Sequence, residues 1–395
     1  MSRWTWPAYV GVIGGVVVFV MFLLPIVVWQ YRRYGRLSWL RLLGSAAVAV
    51  YGVALVAYTL LPLPSGDLAL WCAQHGFSGP QLNPFQFVED IRRDTAGMSA
   101  AARLRSPAVL QTVFNVVLFV PWGVLVRRFF GWRLPLTVLS AFAASLLIET
   151  TQGTGIFGLI PCSYRLADVD DLLTNTLGGL IGALIAPVVL RWMPRSTDLA
   201  TERGVPRPVT VWRRWLGMLL DAFLVSVTGT VLVLFYRVTL VALGQDVPVE
   251  AGAVDVVLGS VVPVVLVLFV PPFLGSGASW GQRAMWLEPR WTADVAQGQV
   301  GADGLGRGTT VRRVVRGFVS GGLWGVCLVL AEVPGGGLLP DVAAPLGSLV
   351  AFVAVVSVLF TRDRRGVSGV VSGARMVDAR AEPDGPERRE VSTRP

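Results

Sequence analysis

Nine long runs with almost no charge decide what this chain can be. A helix needs roughly 20 mainly apolar residues to cross about 30 Å of hydrocarbon. Six runs carry no charge: Trp4–Tyr31, Leu42–Gly66, Ser106–Val126, Leu172–Leu190, Val256–Gln282 and Val342–Thr361. Three more carry one charge near an end, namely Leu134–Gln152 (Glu149), Trp215–Tyr236 (Asp221) and Val314–Ala331 (Arg316). The 395 residues are only 15% charged, against roughly 25% in soluble domains. The chain therefore reads as an all-α polytopic membrane protein with about nine transmembrane helices. Its first run lacks an arginine-rich start and a small-residue cleavage site, so it is expected to stay as an anchor.

Arginine placement sets direction, because short cytoplasmic loops keep positive charge. Alternate connections, beginning with Arg32, Arg33, Arg36 and Arg41, hold 27 of the 34 arginines, and two of the opposite loops, 244–255 and 332–341, are purely acidic. This predicts an outside N-terminus and a cytoplasmic C-terminus in a bacterial plasma membrane. The formal charge of +9 sits on no soluble basic domain, so no nucleic-acid partner is expected. Membrane lipids are the expected partners, and arginines near the surface add contacts to anionic headgroups.

The runs group as five and four. A polar, proline-containing stretch over 194–210 separates a first membrane domain (1–193) from a second (211–378). The tail 379–395 has no apolar face to bury and is expected to be disordered. The sequence does not fix the oligomeric state.

Polar residues inside spans are costly and therefore informative. Gln111 and Asn115 stand one turn apart on the third span. Glu149 and Gln152 close the fourth at i,i+3. The next loop carries Arg165, Asp168, Asp170 and Asp171, and the fifth span opens with Asp171 and Asn175, followed by Gly178, Gly179 and Gly182. At 1.5 Å per residue Asn115 lies about 12 Å, and Asn175 about 6 Å, below the outer surface. One outward-opening pocket is thus predicted, with Glu149 and Asp171 as candidate catalytic groups. Gln111, Asn115, Gln152, Arg165, Asp168 and Asn175 are its candidate ligand contacts. Two bland readings stand beside it: mutually satisfied polar groups locking helices, and plain helix-start chemistry for the aspartates. No resident cofactor is expected. Asp168, Asp170 and Asp171 offer hard oxygen ligands that leave a divalent cation open. Cys72 and His75 lack the two further ligands that zinc needs. Cys72 and Cys162 both fall in predicted outer loops where oxidation is permitted, so a disulfide between them is open.

Four motifs in order — LNPF at 82–85, FNVVLFVPWG at 114–123, IETTQ at 148–152 and R-x-x-D-x-DD-x-x-x-N at 165–175 — resemble the VanZ-like family over roughly 45–190. The resemblance marks Asn115, Pro121, Glu149, Gln152, Arg165, Asp168, Asp171 and Asn175 as signature positions. The family is named after a protein associated with low-level resistance to teicoplanin, a glycopeptide that binds cell-wall precursors. A cell-envelope role with a lipid-linked precursor or glycopeptide-related ligand is what this implies. The second half, with Arg213, Arg214, Asp221, Gly281-Gln282-Arg283 and the closing segment Arg364–Arg375, resembles RDD-family membrane domains over roughly 210–378. It departs from them at Gly369, where that family has an aspartate. Asp221 is expected to pair with an arginine, with Arg213, Arg214, Arg316 and Arg365 as candidates, because an unpaired carboxylate in hydrocarbon is costly. Three functions stay open: an envelope protein with an outward pocket for a lipid-linked or phosphate-bearing ligand, a transporter or exporter, and a non-catalytic scaffold. Whether the chain is an enzyme is equally open.

Overall fold

A computed structural model of the chain describes residues 5–77, 79–250, 252–292, 305–333 and 337–381, the side chain of Ser320 excepted. Among the described residues, eight helices are long and apolar enough to cross a membrane. They are α1 (Thr5–Tyr34), α2 (Trp39–Leu60), α3 (Pro107–Phe129), α4 (Leu134–Gly153), α5 (Val169–Val189), α6 (Val211–Ala242), α7 (Ala253–Phe273) and α9 (Leu338–Phe360). The ninth expected span is also helical, as α8 over 310–331, with a π turn at Phe318–Gly322. It is not among the eight. Arg312, Arg313 and Arg316 occupy its first turns, so only its second half is apolar throughout.

The chain forms two compact units, Met1–Gln30 with Leu37–Thr201, and Tyr31–Arg36 with Glu202–Pro395. The segment read as a linker contains a short helix, Ser196–Thr201, whose Leu199 is 2% exposed. The boundary therefore falls inside that segment, after residue 201.

In the first unit, close helix contacts are made wherever glycine removes the side chain, the packing device of membrane interiors. Gly11 and Gly15 of α1 lie against Ala54 and Val50 of α2. Gly178 and Gly182 of α5 face the carbonyl oxygens of Val116 and Val120 on α3, and Gly179 touches Ala141 of α4. The fifth helix thus runs between the third and fourth at backbone distance. Below it, Val124, Leu125, Phe129, Ala186, Leu190 and Met193 form one apolar cluster. Arg41, counted in the sequence as a loop charge, is 1% exposed. Its guanidinium donates to Phe129 O at 2.7 Å and Pro194 O at 3.3 Å, and stacks over the Phe129 ring.

The second unit packs Val225 of α6 against Val264, Val267 and Leu268 of α7, with Trp324 of α8 beside them. Two π turns, Val257–Val261 and Val265–Phe269, flank Pro263, whose missing N–H cannot close the regular helical ladder. The fold is not all helical. A three-stranded antiparallel sheet has β1 (Leu287–Thr292) between β2 (Leu305–Gly306) and β3 (Arg375–Asp378). The alternation is visible afterwards in LEPRWT, whose first, third and fifth residues are buried. The span pattern hid this strand inside a loop. The expected disordered tail begins too early as well. Arg380 donates to Asp378 through its backbone and its guanidinium, and to Gly35 O; residues 382–395 lie outside the described residues.

Candidate functional site

The predicted cluster lies beneath a cap of two loops. Cys72, in a helix whose start is capped by Asp67, is disulfide-bonded to Cys162 with Cα atoms 5.7 Å apart. Beyond it the chains pair at Phe77 with Ser163 and at Gln81 with Asp168. The Gln81 amide also donates to Asp168 Oδ1 at 3.1 Å. The LNPF turn places Phe85 in the left-handed region at φ 67°, an uncommon conformation for a bulky residue. Asp170 holds it there: Oδ1 accepts the Phe85 N–H at 2.6 Å and Oδ2 the Phe87 N–H at 2.9 Å. The two motifs are therefore one structural joint, and Asp170 is its key residue. The sequence offers Asp170 as an optional cation ligand or as helix-start chemistry, and shows nothing of this joint.

Under the cap, Glu149 of α4 and Asp171 of α5 stand within electrostatic reach of each other. Glu149 is 6% exposed. Among the described residues its side chain has one hydrogen bond, from the Asp168 N–H to Oε2 at 3.0 Å. Asp171 accepts from the Asn115 amide of α3 at 2.5 Å. Asn175 donates to the Ser145 hydroxyl at 2.9 Å, while its own Oδ1 is buried without a hydrogen-bond partner among the described residues. The structure thus brings Asn115 to Asp171 and Asn175 to Ser145, with Glu149 within electrostatic reach of Asp171. Asp168 forms the rim and caps α5 by accepting the Asp170 N–H. Burial pushes its carboxyl above the ordinary carboxylate range. The charges of Asp170 and Asp90 push the same way, against hydrogen bonds from the Asp170 amide and Gln81.

Gln111 and Gln152 point elsewhere, while Arg165 keeps its charge within reach of Glu149 but directs hydrogen bonds to α2. Gln111 is exposed on α3, a turn too far along to reach the cluster. Gln152, though i,i+3 from Glu149, turns toward α2 and donates to Thr59 O at 2.7 Å. Arg165 donates to Leu61 O at 2.6 Å and Tyr58 O at 3.3 Å. Arginine there satisfies carbonyls that the last turn of α2 leaves open. The aspartates do not converge on an ion: Asp168 and Asp170 accept from neighbouring amides, and among the described residues no group of three carboxylate, thiol or imidazole ligands is arranged for a metal. Cys72 is oxidised, and His75 stacks on Trp71.

The helices and loops that build this arrangement all lie within one stretch of sequence. Residues 48–190 match the VanZ/LLP1 family. The VanZ-like part begins in α2 and ends with α5, so it encloses the cap, the carboxyl pair and the glycine face. No curated protein and no solved structure matches the chain.

In the second unit two of the four expected arginines, Arg214 and Arg316, stay within reach of Asp221, and Arg213 and Arg365 are engaged elsewhere. Arg213 pairs with Asp378 at 2.9 Å, a residue that sequence reading passed over. Arg214 donates to Arg365 O. Asp221 accepts the Gly281 N–H at 2.7 Å, and its charge acts on both Arg214 and Arg316. An aspartate inside a helix that faces a second helix's backbone was not separable, by spacing alone, from one facing an arginine.

Proposed function

We propose that this is a multi-pass protein of the bacterial plasma membrane that serves cell-envelope maintenance. Its VanZ-like part would hold an outward-facing polar site for the headgroup of a lipid-linked, phosphate-bearing ligand such as a wall precursor. One observation carries the reading: among the described residues Glu149 and Asp171 each accept one hydrogen bond, from a neutral donor, and Oδ1 of Asn175 is buried without a hydrogen-bond partner, with the charge of Arg165 also acting on Glu149. A purely structural lock would close those acceptors, since an unmet buried acceptor costs about 1–3 kcal/mol. An acceptor-rich pair of this kind suits hydroxyl or ammonium groups of a ligand and exchanges protons with them. For 210–378 we propose the RDD-like membrane domain that its sequence resembles, supported by the grouping of Arg214, Asp221 and Arg316 around one cavity.

The test is complementation. In a deletion strain, Glu149→Gln is expected to insert, accumulate and melt like wild type, because its one backbone hydrogen bond survives in the amide. It should nonetheless fail to restore glycopeptide susceptibility and lipid-linked precursor levels to the wild-type pattern. Equal rescue by both would make the cluster a scaffold.

The outside placement of the cap is supported by the Cys72–Cys162 bond, since oxidation is permitted on that side of the membrane. In intact cells Cys72→Ser is expected to make Cys162 reactive to a membrane-impermeant maleimide, while wild type reacts there only after reduction. Labelling that requires cell lysis would invert the topology.

A further inference from the structure

The second unit contains a cavity of about 520 Å³ that the proposed function leaves unused. Small-molecule sites span roughly 300–1,000 Å³, so the space is large enough to be one. Its wall is mostly apolar, built from Trp215, Leu219, Leu268, Pro271, Trp324 and Ala354 among others. Into that wall project the side chains of Arg214, Arg316 and Asp221. Arg214 and Arg316 are 2% and 3% exposed. One carboxylate faces two guanidiniums, and nearby arginines do not change the balance. Arg213 is paired with Asp378, and Arg365 with Asp363. Among the described residues that line it, the cavity thus holds two guanidiniums and one carboxylate in an apolar setting, where buried charge is expensive. Arg214 has spare donors: among the described residues its guanidinium donates to the carbonyl of Arg365 at 3.3 Å, and its Nε is buried without a hydrogen-bond partner.

We propose that this cavity binds one anionic membrane phospholipid, with the phosphate on Arg214 and Arg316 and an acyl chain along the tryptophan-lined wall. The planar guanidinium fork suits phosphate oxygens. A small soluble anion would leave the apolar wall empty, and a zwitterionic lipid would leave the charge unbalanced. The supply is at the mouth: lining residues Trp212, Leu219 and Val355 are 70%, 55% and 40% exposed, so the cavity opens on apolar surface. Tryptophans gather at that level in membrane proteins because one end of the ring is apolar and the other polar.

The full-length protein, reconstituted in nanodiscs of equal phosphatidylglycerol and phosphatidylcholine and released for native mass spectrometry, is expected to retain one phosphatidylglycerol. Arg214→Gln should lower that retention about tenfold, as loss of a charge-assisted hydrogen bond does. Ala354→Phe, which fills the cavity and keeps every charge, should lower it as well. Arg191→Gln, an exposed arginine of the other unit, should leave it unchanged, and excess inorganic phosphate should not displace the lipid. Equal retention of both lipids, displacement by phosphate, or retention unaffected by Ala354→Phe would overturn the proposal. If Arg214→Gln melts at a lower temperature than wild type, Ala354→Phe alone decides.

Discussion

Gly182→Val is expected to prevent the VanZ-like unit from assembling. A Cβ at this position would be driven into the carbonyl oxygen of Val120, and Gly123 on the facing helix stands as close to Gly179 O. The obstacle is backbone on a packed helix, so no rotamer change relieves it. Overpacking a core typically costs about 1–3 kcal/mol, and here the third and fifth helices must separate along their length, which places the loss at the top of that range or beyond. Separation would also withdraw Asn115 from Asp171, since that 2.5 Å hydrogen bond spans the same two helices. Thermal melting in detergent and yield of monodisperse protein measure the effect. Gly204→Val is the control, because a Cβ there meets nothing within 4 Å. Wild-type melting of Gly182→Val would mean that the two helices do not approach as described.

The glycine face was legible in the sequence because a helix repeats it in register, at positions 178, 179 and 182. The spans were legible for the same reason: hydrocarbon imposes one length and one composition on every crossing segment. What the sequence hid were contacts decided by the third dimension. Spacing placed Gln152 beside Glu149, yet a small rotation about α4 separates a side chain facing Asp168 from one facing Thr59 of α2. Arg165 carried the signature of an anion contact, but its guanidinium also donates to the carbonyls of Tyr58 and Leu61 at the end of α2. Asp170 was the least remarkable of three aspartates until the LNPF turn folded back onto it. In each case a backbone group won the polar side chain, which is the usual outcome where water is scarce and backbone partners are obligatory.

That competition also fixes the surroundings of the carboxyl pair. Asp170, Gln152 and Arg165 fix the cap and the α2 end through backbone groups, and so hold the surroundings of Glu149 and Asp171 without occupying them. On the proposed function, the cluster divides into residues that position and residues that would bind. Arg165→Ala and Glu149→Gln belong to different classes on this view, the first loosening the cap and the second altering only the carboxyl.

Asp378→Asn should destabilise the second unit by about 3–5 kcal/mol, the cost of breaking a buried pair from one side. The carboxylate gathers five donors: Arg213 at 2.9 Å, the Arg380 guanidinium at 2.7 and 2.8 Å, the Arg380 N–H at 2.9 Å and the Arg207 N–H at 3.1 Å. The Asp378, Arg213 and Arg380 side chains are all about 5% exposed, so neither arginine recovers water when the charge is removed. Arg213 also donates to the carbonyls of Met285 and Trp286, so the same ion pair fixes the start of α6 against the sheet. Burial pushes the Asp378 carboxyl up, but the hydrogen bonds from Arg380 and Arg207 and the charge of Arg213 outweigh it and leave it below the ordinary range. A group depressed in the folded state contributes stability above its unfolded value, about 3.9 for aspartate, and loses it as pH falls through the folded value. Wild type should therefore lose stability as pH falls below that range, whereas Asp378→Asn, already weakened at neutral pH, should lack this component. Melting temperatures of the two proteins across neutral to acidic pH test both points. A constant gap between the curves down to the lowest pH would show that Asp378 is not the group whose protonation is felt.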